Sequence, residues 1–180
     1  MKEKRDRLFR VNRPHIRPLE LLNGDNYGKD MAILWAAYKL GSFEERIEPG
    51  LEQKEFAALF ITIASGYNLG WMIEDRNAKF KNEYGPIGIV LAVSNGWELE
   101  PHFEKFQWAS AKNILKSFVA FLQMMRYDKT IGIVNIYSLK DSKNLFDHIT
   151  EYGVLRYATK IPKGDIRGDR YIYYTHGKRK

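Results

Sequence analysis

The chain has 180 residues, 44% hydrophobic and 14% aromatic, which fits one globular domain with a sizeable core. It has no cysteine, which excludes a disulfide framework and thiolate-ligated zinc and fits a reducing compartment. No apolar run approaches the roughly 18–20 residues of a membrane span, and the charged N-terminus is not followed by the apolar stretch of a secretory signal.

The net charge of +7 is unevenly placed. Residues 1–17 hold seven basic residues against Glu3 and Asp6, a net of +5, and Lys178, Arg179 and Lys180 add +3, so the 160 residues between sum to −1. Basic ends of this kind either bind acidic surfaces and nucleic-acid phosphates or are simply solvated. Residues 1–14 and 178–180 read as tails around a domain at 15–177.

In chain order, His15 to Leu22 reads as a first strand, interrupted by Pro18 and closed by the turn Asn23-Gly24-Asp25. Asp25 or Asn26 can cap a helix from Gly28 to Leu40, with Met31, Leu34, Trp35 and Tyr38 on one face. A second helix follows Pro49-Gly50, with Phe56, Leu59, Phe60 and Ile63 on one face, and Gly66 ends it. The period then changes. Asn68 to Glu74 and Ile87 to Val93 read as strands joined by a polar loop from Asp75 to Gly85. Asn95-Gly96 is a tight-turn signal before an alternating strand from Trp97 to Gln107.

Ser110 is the expected N-cap of a helix from Ala111 to Arg126. A strand from Thr130 to Tyr137 follows, then a helix opened by Asp141 or Ser142 and ended by Gly153. Val154 to Ile161 and Arg170 to Thr175 are the last strands, separated by the turn-rich Pro162 to Asp169. The expected fold is mixed α+β, a central mixed sheet of about seven strands flanked by about four helices.

This order of elements resembles the GNAT (N-acetyltransferase) superfamily over residues 15–176. The resemblance implies a mixed α/β domain that binds acetyl-CoA. In that family a Gln/Arg-x-x-Gly-x-Gly/Ala run before the third helix cradles the coenzyme A pyrophosphate with backbone N–H groups. The corresponding stretch here is Gln107-Trp108-Ala109-Ser110-Ala111-Lys112. Gln107 matches, while Ser110 and Lys112 stand where two small residues belong. The cofactor-binding candidates are therefore Gln107, Ser110, Ala111 and Lys112, set against the reading of an ordinary capped surface helix.

The resemblance also implies a base on the fourth strand. Alternation places Glu98, Glu100, His102 and Glu104 on one face of that strand, opposite Trp97, Leu99, Pro101 and Phe103. Carboxylates beside an imidazole can make a base poised near neutral pH, or merely a solvated polar face. The resemblance implies a bulge that splays this strand from the fifth, which Pro101 fits because a bulge can spare the N–H, and this makes its neighbours Glu100 and His102 the catalytic candidates. The family's acid, a tyrosine four residues before the glycine closing the fourth helix, is replaced by Ile149. The histidines lack ligand-type spacing, so no metal site is expected. Tyr171, Tyr173 and Tyr174 can stack bases beside the basic tail, or line a core edge or interface.

Trp97 to Leu115, with Glu100-Pro101-His102 and Trp108-Ala109-Ser110, resembles GNAT-like proteins encoded by tailed bacteriophages. That resemblance implies a virion or morphogenesis protein with a degenerate acetyl-CoA loop, found in the host cytoplasm and in the virion. Its partners would be other phage structural proteins or an acidic partner, with DNA contact through the basic tails. The alternative is an active acetyl-CoA-dependent N-acyltransferase acting on an amine.

Overall fold

The computed structural model describes residues 14–22, 27–44, 46–80, 83–165 and 168–177. Residues 1–13 and 178–180, all of the two basic tails but Pro14, and the turn at 23–26, with its two expected cap residues, lie outside them. The elements are β1 (His15–Pro18), α1 (Tyr27–Lys39), α2 (Gln53–Ser65), β2 (Leu69–Phe80), β3 (Glu83–Ser94) and β4 (Glu98–Lys105). They continue with α3 (Ala111–Tyr127), β5 (Ile133–Leu139), α4 (Lys140–Glu151), β6 (Arg156–Asp165) and β7 (Gly168–His176). The architecture is mixed α+β, with one seven-stranded sheet ordered β1-β2-β3-β4-β5-β7-β6. Its pairings include antiparallel β1–β2, β2–β3, β5–β7 and β6–β7 and parallel β4–β5. The chain divides into two compact units, one of Pro14–Val93 with Phe103–Ile114, the other of Ser94–His102 with the residues from Leu115 onward.

In the first unit, apolar residues at helical spacing bring α1 and α2 together around aromatic rings. Tyr38 stacks on Phe56 with centroids 4.7 Å apart, and Phe43 tilts against Phe60 at 5.4 Å. Leu34, Phe56, Met72, Ile89 and Phe106 are all buried in this cluster. The Tyr38 hydroxyl donates to the Glu48 carbonyl and accepts from the Leu51 amide, both at 2.8 Å, which closes the α1–α2 connection. The α2 start is fixed by the Glu55 carboxylate, which accepts from the Glu52 amide at 2.8 Å. The expected apolar face of α2 needs one correction. Phe56, Phe60 and Ala64 form the buried stripe, while Leu59 is 38% exposed because its step of three from Phe56 carries it off that stripe.

The same unit holds a buried ionic cluster. Arg17 on β1 grips Asp30 on α1 through both terminal nitrogens (2.9 and 2.5 Å) and donates from Nε to Glu74 on β2 at 3.0 Å. Asp30 is fully buried, and its Oδ2 also accepts from the Glu20 amide at 3.0 Å. His15 meets the other Glu74 oxygen at 2.8 Å. The bond to Asp30, followed by the charges of Asp30 and Glu74, holds the Arg17 guanidinium above its ordinary pKa despite burial.

Two joining loops of the sequence reading are corrected here. The polar stretch 75–85 mostly continues β2 and β3 as a long hairpin, with register shifts at Ile73/Glu74 and Asp75/Lys79. Residues 162–165 and 168–169 likewise extend β6 and β7, whose pairing shifts at Ile161/Asp165. Backbone pairing needs no apolar side chain, so a polar composition concealed these arms.

In the second unit, α3 buries Phe118, Val119, Phe121, Leu122 and Met125. Alternation along β7 buries Tyr171, Tyr173 and Thr175 and leaves Arg170, Ile172 and Tyr174 half-buried. The Tyr173 hydroxyl donates to Asp147 on α4 at 2.6 Å, and Lys143 pairs with the same carboxylate. Burial, then the adjacent carboxylate, push the Tyr173 phenol well above its usual range. Burial opposes the Asp147 charge, but the bonds from Lys143 and Tyr173 prevail and hold its carboxyl below the ordinary value.

Removing one partner of a buried ion pair strands the other's charge. Asp30→Ala is therefore expected to lower unfolding free energy by about 3 kcal/mol, read from urea denaturation. Asp147 has a depressed pKa, so its contribution is present above the ordinary carboxylate range and is lost as pH falls through the lower folded value. The stability gap between the native chain and Asp147→Asn should accordingly shrink between about pH 5 and about pH 2. A gap independent of pH would contradict that assignment.

Candidate functional site

The turn before β4 is built by Asn95, whose Oδ1 accepts from the amides of Trp97 (3.0 Å) and Glu98 (2.8 Å) while Gly96 takes φ 89°. The Trp97 carbonyl then accepts from the amides of Gly132 (2.8 Å) and Ile133 (3.2 Å), and the Trp97 indole occupies the place a Gly132 side chain would take. This seats β4 against β5. Among the described residues their parallel ladder consists of Glu98↔Ile133 and Leu99↔Val134. Beyond Leu99 comes buried Pro101, which has no N–H to donate.

Glu100 and His102 lie past the end of that ladder and face the same way. Glu100 Oε1 is 3.3 Å from His102 Nε2, and the two side chains are 41% and 31% exposed. Leu99 and Pro101 are buried on the opposite face, as the alternation predicts. Glu104, the next residue of the polar face, belongs to the first unit and pairs with Arg46 at 2.6 Å.

The turn into α3 is held by a different set of contacts in the first unit. The Phe106 amide donates to Ile87 O at 3.0 Å, and Trp108 Nε1 donates to Pro86 O at 2.6 Å. The Gln107 amide donates to Ser42 Oγ at 3.0 Å, and its side-chain nitrogen donates to Gly41 O at 3.3 Å. Ser110 is the N-cap that the sequence predicts: its Oγ accepts from the Asn113 amide at 3.2 Å, and its carbonyl from the Asn113 and Ile114 amides. Ala111 and Lys112 occupy the exposed first turn, where helix N–H groups lack intrahelical acceptors.

The candidates thus form two groups, Glu100 with His102 on β4, and Gln107, Ser110, Ala111 and Lys112 in the turn opening α3. The chemistry of the second group fits an anion: two N–H groups at a helix start, with Lys112 exposed beside them. Gln107 is the exception, since its amide and side chain are already engaged by the α1–α2 connection. Sequence reasoning missed Gly41, Ser42 and Arg46, which lie in that connection and act through backbone and polar contacts that no periodicity marks. Ile149 is fully buried. Nearby, Tyr152 packs edge-on against His148 with centroids 5.7 Å apart.

No protein-family model matches the sequence, and no curated protein matches it. Solved structures do. The chain is similar to the spermidine N-acetyltransferase from Vibrio cholerae in complex with CoA and spermine, with TM-score 0.63 at 12% identity, covering 91% of this chain and 95% of that one. It is also similar to an acetyltransferase (GNAT family) from Bacillus anthracis, with TM-score 0.61 at 15% identity over 92% of this chain and 95% of that one. FdhC, a nucleotide-linked sugar GNAT, matches with TM-score 0.56 at 11% identity over 91% of this chain and 86% of that one. The chain has the GNAT fold.

Gly88 on β3 is the close approach in the first unit. A Cβ there would lie 2.5 Å from the Glu104 carbonyl oxygen, which is backbone and cannot swing away. Gly88→Ala should cost about 1–3 kcal/mol in chemical denaturation. A neutral result would show that β4 yields freely at Glu104.

Proposed function

We propose that this chain is an acetyl-CoA-dependent N-acyltransferase acting on an amine. The observation that carries the reading is the β4–β5 ladder ending at Leu99, with the Glu100–His102 pair just beyond it. The fold likeness to N-acetyltransferases supports it. Acetyl-CoA, when bound, supplies an acetyl group activated as a thioester. The N–H groups of Ala111 and Lys112, with the Lys112 ammonium, would hold its phosphates.

An alkylammonium has no lone pair, so the acceptor must lose a proton before its nitrogen can attack. His102 is the group suited to take that proton, and Glu100, bonded across 3.3 Å, orients the ring and stabilises the imidazolium formed. No tyrosine stands at Ile149, so a leaving thiolate would draw its proton from water or from the same His102. Spermine and spermidine are the first acceptors to assay, because polyamine acetyltransferases are among the similar structures.

A second reading is a binding or assembly protein of a tailed phage, built on the same fold without turnover. It is favoured by Lys112 in place of a small residue and by the prior engagement of Gln107 with Gly41 and Ser42. The comparisons support the acyltransferase more closely.

Thermal denaturation with added CoA separates the two. The acyltransferase reading expects a melting temperature that climbs with the logarithm of CoA concentration; no shift at about 1 mM would end it. His102→Ala and Glu100→Ala should lower kcat by about 10²–10⁴-fold while leaving the CoA-induced shift in place. Unchanged turnover would remove both residues from the site.

A further inference from the structure

Past Leu99↔Val134, β4 and β5 have no further paired residues, although both strands continue. Residues paired across strands share a face and side chains alternate along each strand, so the register also sorts what lies beyond the ladder. Counted on by twos from Glu98↔Ile133, it sets Glu100 level with Asn135 and His102 level with Tyr137, all on one face. Leu99, Pro101, Val134, Ile136 and Ser138 lie on the other face. Helix α4 packs on that second face, where Ile136 pairs with Tyr173 and Phe146 lies against the Tyr173 ring at 5.6 Å.

Acyl transfer from a thioester to an amine makes two demands on protons. The amine must lose one, and the departing thiolate, a strong base, must gain one. Past the ladder β5 offers three polar side chains, Asn135, Tyr137 and Ser138. A carboxamide does not give up a proton, and Ser138 is 2% exposed on the α4 face. Tyr137 carries a phenol, a better acid than an alcohol, and is 37% exposed on the face of His102. The Arg170 guanidinium lies over its ring at 5.2 Å and fixes the ring's place. Among the described residues none is hydrogen-bonded to the Tyr137 hydroxyl, so its O–H is open to a ligand. Tyr174 shares the face but stands one strand further off, paired with Asn135, with its ring against His176 at 5.2 Å.

We infer that Tyr137 is the acid of the transfer, the residue that gives the leaving sulfur its proton in place of water or His102. The inference rests on the acyltransferase reading and adds a second catalytic strand to it. As the amine nitrogen bonds to the acyl carbon, the carbon–sulfur bond breaks with its electron pair on sulfur, and the Tyr137 O–H proton passes to that sulfur. The proton that His102 took from the amine then returns to the phenolate through solvent, so both side chains end as they began. Base and acid thus stand on two neighbouring strands, level with each other where those strands are unpaired. Ile149, buried on α4, has no proton to supply, and none is needed from that side.

The test uses the full chain, with CoA and desulfo-CoA, which lacks the sulfur, as binding probes and spermine as the acceptor for turnover. In calorimetry at about pH 9, where most of an ordinary thiol is ionised, the native chain should bind CoA about tenfold more tightly than desulfo-CoA. Tyr137→Phe keeps the ring beneath Arg170 and removes only the hydroxyl, so it should bind the two alike. In turnover the same variant should lose about 10²-fold in kcat with the KM for spermine unchanged. An unaltered melting temperature without ligand checks that the variant is folded. Three outcomes overturn the inference alone: equal affinity of the native chain for the two probes, a preference for CoA that survives in Tyr137→Phe, or an unchanged kcat. If CoA binds but spermine is not acetylated, the binding comparison alone supports or overturns it. A native chain that binds neither probe would overturn the acyltransferase reading and the inference with it.

Discussion

A parallel ladder lasts only as long as both strands offer amides and carbonyls in register. Between β4 and β5 the register is set where the Trp97 carbonyl takes two amides at the start of β5, and two residue pairs follow. Pro101 then brings a residue with no amide, buried by its apolar ring rather than held by a hydrogen bond. Everything proposed for the catalytic pair follows from that constraint. Were the ladder to continue, Glu100 and His102 would be two polar residues on a closed sheet. Because it stops, they stand where a strand has been released from its neighbour.

Much of the fold could be read because it rests on patterns with a physical period. The spacing of Leu34 and Tyr38, or of Phe118, Leu122 and Met125, marks a buried helix stripe directly. Alternation around Pro101 placed Glu100 and His102 together, and the structure brings them to 3.3 Å. The arms of the β2–β3 and β6–β7 hairpins were concealed because their pairing is carried by backbone groups that every residue type shares. The contacts of Gln107 were concealed for another reason: its partners lie 65 and 66 residues earlier in an irregular connection. A glutamine reads the same whether its amide awaits a phosphate or holds a loop.

That engagement changes what the departures from the family's loop mean. The start of α3 keeps the elements an anion needs, a serine cap and first-turn amides, but the residue preceding it in the motif is committed to the α1–α2 connection. Gln107 thus fixes the position of that connection, and the anion is left to the residues that follow it. In the proposed function, Lys112 would replace close backbone approach with a long-range charge, a looser and more salt-sensitive way to hold phosphate.

The Arg17 cluster has a consequence in time as well as in energy. Its contacts reach 13 residues forward to Asp30 and 57 to Glu74, so no part of it can form from local structure alone. Closing the longer loop costs entropy before the guanidinium gains its second carboxylate, and a charge left half-satisfied on the way is exposed to water. For the guanidinium to gain both carboxylates, β1 must meet α1 and β2 together. The first strand among the described residues is thus held by partners far along the chain.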